Sequence, residues 1–462
     1  MTPTRIFIAT IVGTIIFASG CGSCGREASA QRAPAMAASD GAGETRLLAT
    51  IPPEARPPSS APSGFGMHAP TAPGQLEFTF GERGGVAWVA GVGEDVQVFH
   101  DGRPGKVYSA VGPIALSPDG RRCAYGALSG GKWRMVVDGA EGRSFDTVRS
   151  PIFSPDGAHL AYQAMAGERW HLVVDGTVDA GTRTRYLKHA FSADSSRIAF
   201  VTDVDDRERG SLVVSDLGFE HPVTLARGVS AMHVAPASAK IAVVMDLGER
   251  RRLQVLDMDR PQAVDAGGEY DAISDVVVCP EGTDVVWVGE RDGKRFVAAK
   301  DREAPVTVGD LAGPPVCRSG SRTVGALMAS EGAVVLREFF AEQGPREGIY
   351  EEAEGLVYSD DGRSHAYAAR RGERWFLVVN GKEGQPLDRV VTPRFTRDGA
   401  RVVYRARQDG QRFVVVAGLD GKTVRQGSAY EQVFPVSVAP DGRSIAYGVK
   451  DGRALAWKTE AP

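Results

Sequence analysis

From residue 76 onward the chain repeats itself, and a repeat constrains the fold more than any single residue does. One unit reads IALSPDGRRCAYGALSGGKWRMVVDG, from Ile114 to Gly139, and the next reads PIFSPDGAHLAYQAMAGERWHLVVDG, from Pro151 to Gly176. Strong copies return with VYSDDGRSHAYAAR from Val357, RFTRDGARVVYRAR from Arg394 and SVAPDGRSIAYGVK from Ser437. Weaker copies start at Phe191, Val234, Val277 and Val316, and a degenerate first copy starts at Phe78. Ten copies follow one another at intervals of 36 to 44 residues.

Each copy has the same grammar. A short alternating strand leads into a tight turn such as Ser117-Pro118-Asp119-Gly120, where Pro presets φ and Gly suits the fourth position. A second strand carries an aromatic at a fixed place: Trp88, Tyr125, Tyr162, Phe200, Trp287, Tyr367, Tyr404 or Tyr447. Val243 and Gly325 break that rule. After a Gly-rich charged turn, a third strand opens on Trp133, Trp170, Phe296, Trp375 or Phe413 and often ends in Asp-Gly or Asn-Gly, a favoured hairpin turn. A shorter fourth stretch, such as Phe145 to Val148, leads back to the next copy. Four antiparallel strands per copy is the blade of an all-β propeller.

The SPDG–R–x–AY pattern resembles the WD40-like repeats of TolB-type propellers, over residues 76–462. The resemblance implies blade architecture and says almost nothing about activity, because function lives in sites grafted on folds. Two departures from TolB stand out: no α/β unit is recognisable ahead of the blades, and ten copies exceed TolB's smaller ring. Membership of a Tol-like complex is therefore a remote expectation. Related blades cap prolyl-oligopeptidase-type enzymes, but no hydrolase domain is recognisable beside these.

Ten copies close either one large ring or two of five, and the absence of a long linker inside the array favours one. The last copy stops after a third strand, Ala454 to Lys458. Its fourth is expected from Thr45 to Ile51 (TRLLATI), an apolar island in an otherwise Pro-, Ala-, Ser- and Gly-rich stretch.

Residues 1–20 read as an export signal: Arg5, then an apolar run from Ile6 to Phe17, shorter than the ~20 residues a membrane-spanning helix needs. The run ends in Ala18-Ser19-Gly20-Cys21, which resembles a bacterial lipobox and implies acylation of Cys21. Cleavage after Ala28-Ser29-Ala30, giving soluble export, is the competing reading. Gly22 rather than Asp after the cysteine implies outer-membrane sorting. Residues 21–75 hold eight prolines and a single aromatic, Phe65, and read as a tether that cannot bury enough apolar surface to order itself.

The search for chemistry is mostly empty. The sequence has no G-x-S-x-G, no P-loop and no G-x-G-x-x-G between a strand and a helix. The eight His are scattered, and His365 falls where most copies are apolar, so it reads as a core residue. The recurring aromatics read as interblade packing rather than a sugar platform. The 54 Lys and Arg against 58 Asp and Glu argue against a general nucleic-acid binder.

The turns between second and third strands share one rim. An acidic loop (Asp203, Asp205, Asp206, Glu208) and a basic one (Arg250, Arg251, Arg252) are such turns in consecutive copies, so they are expected as neighbours in a locally polarised patch. Arg207 and Arg209 interrupt the acidic loop, and its spacing is not that of an EF-hand. Surface salt bridging is the plainer reading.

Cys123 takes a place held elsewhere by Leu160, Ile198 and Ile445, as a buried free thiol. Cys279 and Cys317 both align with the Ser of SPDG in consecutive copies. Two free buried thiols are the first reading and a disulfide bridge the alternative, since an oxidising compartment permits one.

The expectation is a non-enzymatic, lipid-anchored envelope propeller that binds an envelope protein or glycan, with no cofactor and no nucleic-acid partner. Its rival is a lyase or glycosidase in the central channel, which needs paired carboxylates there.

Overall fold

The structure is a computed structural model that describes residues 43–58, 75–182, 184–234, 240–258, 263–279, 284–341, 348–439 and 441–462. The described residues form strands and turns without a helix. Their sheets are antiparallel and follow the repeat. Blade 2 is representative: Ala110–Leu116, Cys123–Ser129, Lys132–Val137 and Ala140–Phe145 pair in sequence order.

Four blades depart from this plan. Blades 4 and 5 form one seven-stranded sheet, because Val223–Val234 is both the outer strand of blade 4 and the inner strand of blade 5. In blade 7 the inner strand is split, with Asp310–Leu311 and Val316–Cys317 both pairing with Val324–Ser330. In blade 10 the outer strand is Glu44–Thr50, which pairs with Ala454–Glu460 from Glu44↔Thr459 to Thr50↔Ala454. The island inside the stretch read as tether is thus the missing fourth strand.

The core lies between blades. Second strands are buried on both faces, and alternation gives each face a different neighbour. In blade 2, Cys123, Tyr125 and Ala127 pack toward blade 1, while Ala124 packs toward blade 3. Several fixed aromatics meet a ring at the outer edge of the preceding blade: Tyr108 meets Tyr125 at 6.3 Å and 72°, Tyr270 meets Trp287 at 6.2 Å and 83°, and Tyr350 meets Tyr367 at 6.1 Å and 78°. Such edge-on geometry suits the ring quadrupoles. The hydroxyl of each of these three outer-edge tyrosines donates to a glutamate of the next blade: Tyr108 to Glu141, Tyr270 to Glu303, Tyr350 to Glu383.

Ring number follows from the core. Ten apolar clusters each join two consecutive blades. Blade 5 packs Val244 and Leu253 against Trp287 and Ala298 of blade 6, which excludes closure after five. The last cluster joins Ala49, Ile51 and Leu455 of blade 10 to Val86, Trp88 and Phe99 of blade 1. The protein is a single ten-bladed ring, beyond the four to eight blades usual for propellers.

The SPDG turns are built from their own side chains. Ser117 donates to Asp119 at 2.6 Å, Asp119 accepts from the Arg121 amide, and Ser117 Oγ accepts from the Arg122 amide. Ser154, Ser192, Ser359 and Thr396 repeat the arrangement with Asp156, Asp194, Asp361 and Asp398. These hydrogen bonds hold the aspartates below the usual carboxylate range; Asp194, bonded by Ser192 and Ser196, falls to about 2.

Candidate functional site

First strands of neighbouring blades lie against one another, as Ala110–Leu116 does with Thr147–Phe153, so their free edges face the central channel. Their pairing is interrupted at one recurring place: between Val111 and Ile114, Arg149 and Ile152, Ser274 and Val277, Glu354 and Val357, and Val391 and Arg394. The bulge puts one exposed residue per blade at the channel: Pro113, Ser150, Asp275, Gly355 and Thr392 in these five. By the same alignment blade 4 places Lys188 there, and Pro314 and Pro435 serve blades 7 and 10. Ser150, Asp275 and Thr392 take φ of 54°, 48° and 51°. That left-handed backbone is unfavourable for a β-branched threonine.

Sequence reasoning passed over four cations here. Arg149 stacks on Trp170 at 4.1 Å and donates to Gln163 Oε1 and the Tyr186 carbonyl. Arg405 donates to Thr392 Oγ1 and the Val433 carbonyl, at the joint of blades 9 and 10. Lys188 and Arg394 are exposed on first strands. Burial lowers the pKa of Arg149, with Arg185 adding like-charge repulsion, and lowers that of Arg405, with Arg394 adding the same. Burial alone lowers Lys188. His189 and His233 fall to about 4, chiefly by burial, with Arg149 and Lys188 respectively adding to it. For Lys188 the readable signal was a charge standing where other copies hold Pro113, Ser150 or Gly355; Arg394 stands where they hold Ala115, Ile152 or Val357.

The first-strand carboxylates are differently placed. Glu354 pairs with Arg389 at 2.7 Å and Glu352 with Arg370 at 2.6 Å. Asp275 accepts the Ser274 hydroxyl.

On the rim, the acidic and basic loops make their contacts locally or with the next blade. Asp205 pairs with Arg209 at 2.7 Å, Glu208 with Arg185, and Asp203 accepts the Thr182 hydroxyl; Asp206 is exposed. Arg250 reaches forward to Asp271 at 2.8 Å, Arg251 turns back to Asp246, and Arg252 pairs with Glu269. Between the two loops, Asp246 at the start of the basic turn adds to the field by which Asp205 raises the pKa of Arg209. Their charges are nevertheless taken up by other partners.

Cys279 and Cys317 are joined by a disulfide with Cα atoms 5.7 Å apart. Two free thiols, the first reading from sequence, is therefore corrected, and the reason is a slip of one register. In blade 2, Leu116 pairs with Cys123 and Ser117 begins the turn. In blade 7 Cys317 pairs with Val324, and the Arg318 amide closes the turn onto Thr323. Cys317 thus stands at the Leu116 place, facing the preceding blade, while Cys279 keeps the Ser place. Had both kept it, both would point the same way around the ring. The bridge walls a cavity of about 260 Å³, also lined by Asp284, Arg302 and Arg318. Arg302 bonds Asp284 and covers Phe340; Arg318 bonds Glu338 and the Gly362 carbonyl.

Cys123 is a buried free thiol, and burial pushes its pKa up to about 12. His365 is half-buried and stacks on Tyr367 at 10°. Cys21 and residues 1–20, read from sequence as an export signal, lie outside the described residues.

No protein-family model matches the chain, and no curated protein matches it. Among solved structures, one described as the eukaryotic initiation factor is 11% identical, covering 75% of this chain and 96% of its own, with a TM-score of 0.45. A Dos1 propeller is 13% identical, covering 75% and 90%, with a TM-score of 0.36. TolB from Acinetobacter baumannii is 14% identical, covering 69% and 80%, with a TM-score of 0.25.

Proposed function

We propose that the chain is a non-enzymatic binding scaffold of the cell envelope, exported and held at the outer membrane by acylated Cys21. The observation that carries this reading is the makeup of the channel wall. Where a glycosidase needs two carboxylates facing one substrate, the bulge positions hold Pro113, Ser150, Lys188, Gly355 and Thr392, with Asp275 as an isolated acid. The nearby Glu352 and Glu354 are held in ion pairs with arginines.

The anchor and the ring also connect in a way that suits display. Glu44, where the closing strand begins, lies 23 positions after Cys21. At ~3.3–3.6 Å per residue that is a reach of roughly 80 Å. The partner is an envelope protein or glycan that meets the channel mouth or the rims.

Fractionation tests the address. Cys21→Ala is expected to move the protein out of the membrane fraction or to block its maturation. An unchanged membrane-bound pool with an uncleaved N-terminus overturns the lipid anchor. A screen of the purified protein against envelope glycans tests the non-enzymatic reading, which cleavage of any of them would sink.

A further inference from the structure

The charges of this protein are unevenly answered. Many rim and outer-strand arginines face a carboxylate, as Arg250, Arg371 and Arg374 do with Asp271, Glu383 and Asp388, while Arg169 and Arg412 donate to backbone carbonyls. On the channel wall Glu354 answers Arg389, but two other arginines have different partners. Arg149 and Arg405 contact carbonyl, amide and hydroxyl oxygens, and the charges that bear on them are the like charges of Arg185 and Arg394. Lys188 stands exposed at the bulge position of blade 4, and His233 feels it as a positive charge. In a chain of net charge −4, this concentrates positive potential in the channel.

Their places in the ring add to this. Arg149 and Lys188 belong to blades 3 and 4, and Arg394 and Arg405 to blade 9. Blades 4 and 9 are five steps apart in a ring of ten, hence opposite each other. A ligand in the channel meets cations on both sides.

We propose that the central channel binds an acidic glycan, a linear chain carrying carboxylate or phosphate groups, between these two cationic walls. This rests on the scaffold reading above and names the ligand for it. Two features set the glycan ahead of other polyanions. A single-stranded nucleic acid is gripped by stacking its bases on aromatic rings, and the bulge positions offer none, being Pro, Ser, Lys, Asp, Gly and Thr. An acidic peptide docking as an added strand needs a regular free edge. The bulges at Val111/Ile114, Arg149/Ile152, Ser274/Val277, Glu354/Val357 and Val391/Arg394 interrupt that edge. A sugar chain needs neither.

The test is fluorescence anisotropy on the full chain with labelled oligogalacturonate, phosphorylated mannan fragments, neutral dextran, oligoglutamate and an oligo-dT strand. The carboxylate and phosphate glycans are expected to bind and dextran not. Engaging three or four cations, binding should weaken about tenfold or more between 50 and 200 mM salt. The double variant Lys188→Gln, Arg394→Gln changes two exposed side chains and is expected to lose about tenfold in affinity. Arg121→Gln, in an exposed turn, should bind like the parent. Equal binding of dextran, an unchanged double variant, or tighter binding of oligoglutamate or oligo-dT overturns the proposal. Those outcomes leave the membrane address and the scaffold reading to their own tests, since neither uses this ligand.

Discussion

Ile51 and Arg453 hold each other twice: the Ile51 amide donates to the Arg453 carbonyl at 2.8 Å, and Arg453 Nε donates to the Ile51 carbonyl at 2.6 Å. They lie 402 residues apart in sequence, and their contact fastens the ring. Deleting residues 45–51 is expected to lower the thermal midpoint, because blade 10 loses its outer strand and blade 1 loses the apolar cover of Ala49 and Ile51. The milder Ile51→Ala should cost about 2–5 kcal/mol, as buried large-to-small changes do. A denaturant titration that leaves either variant as stable as the parent places the closure elsewhere.

The Cys279–Cys317 bridge closes a loop of 38 residues between blades 6 and 7. Cross-links of that size stabilise by on the order of 3–4 kcal/mol in the chain-entropy model. Reduction of the native protein is therefore expected to lower its urea midpoint, and Cys279→Ala should match the reduced parent. Peptide mapping without reductant should recover the two cysteines in one linked fragment. Alkylation of both thiols in unreduced, denatured protein would remove the bridge from consideration.

Acid should weaken the ring from its turns. Asp119, Asp156, Asp194, Asp361 and Asp398 have folded pKa values lowered by Ser or Thr hydroxyls and backbone amides. A carboxyl lowered on folding contributes stability above its unfolded pKa, near 3.9, and loses it as pH falls through the folded value. For Asp194 that window runs from about 4 down to about 2. Stability should be flat from neutrality to pH 5 and fall through that window. Ser192→Ala should raise the pKa of Asp194 and shift its part of the loss upward, a change that carboxyl NMR titration reads directly.

Gly289 faces the ring of Tyr270, and a Cβ there would lie 2.4 Å from it. Gly289→Ala is expected to displace the Tyr270–Trp287 contact and cost about 1–3 kcal/mol, the usual range for overpacking. Gly313, with nothing within 4 Å of its Cβ position, is the matched control. Equal midpoints for the two variants would show that the blade joint yields freely.

Local grammar made the blades readable. The SPDG turns, the aromatic on the second strand and the Asp-Gly hairpins are each set by neighbours within a few residues. The closing strand was also legible, since the last copy lacked one strand and a single island was free to supply it. Blade 7 was not. With no aromatic to mark the second strand and Ser319-Gly320-Ser321 allowing two alignments, one register is hidden in sequence, and it decides which way Cys317 points. The structure puts Ala326 rather than Gly325 at the aromatic place. Gly325 itself makes room for Tyr358, whose hydroxyl would lie 2.2 Å from a Cβ there. The cationic walls were hidden for a different reason. Arginine is common along this chain, and whether one is answered depends on which carboxylates the neighbouring blades bring near it.

The pairing of Glu44–Thr50 with Ala454–Glu460 also has a schedule. The two strands begin 410 residues apart, so synthesis makes the first well before the second. At ~5–20 residues per second, the interval is roughly 20 to 80 seconds. Until then the first blade has no neighbour on one side, and the waiting strand has nothing to pair with. Every molecule must pass through a stage as an open arc whose two ends invite the ends of another arc. Slow delivery of Ala454–Glu460, or crowding of nascent chains, would therefore favour exchange of the closing strand between molecules over closure within one.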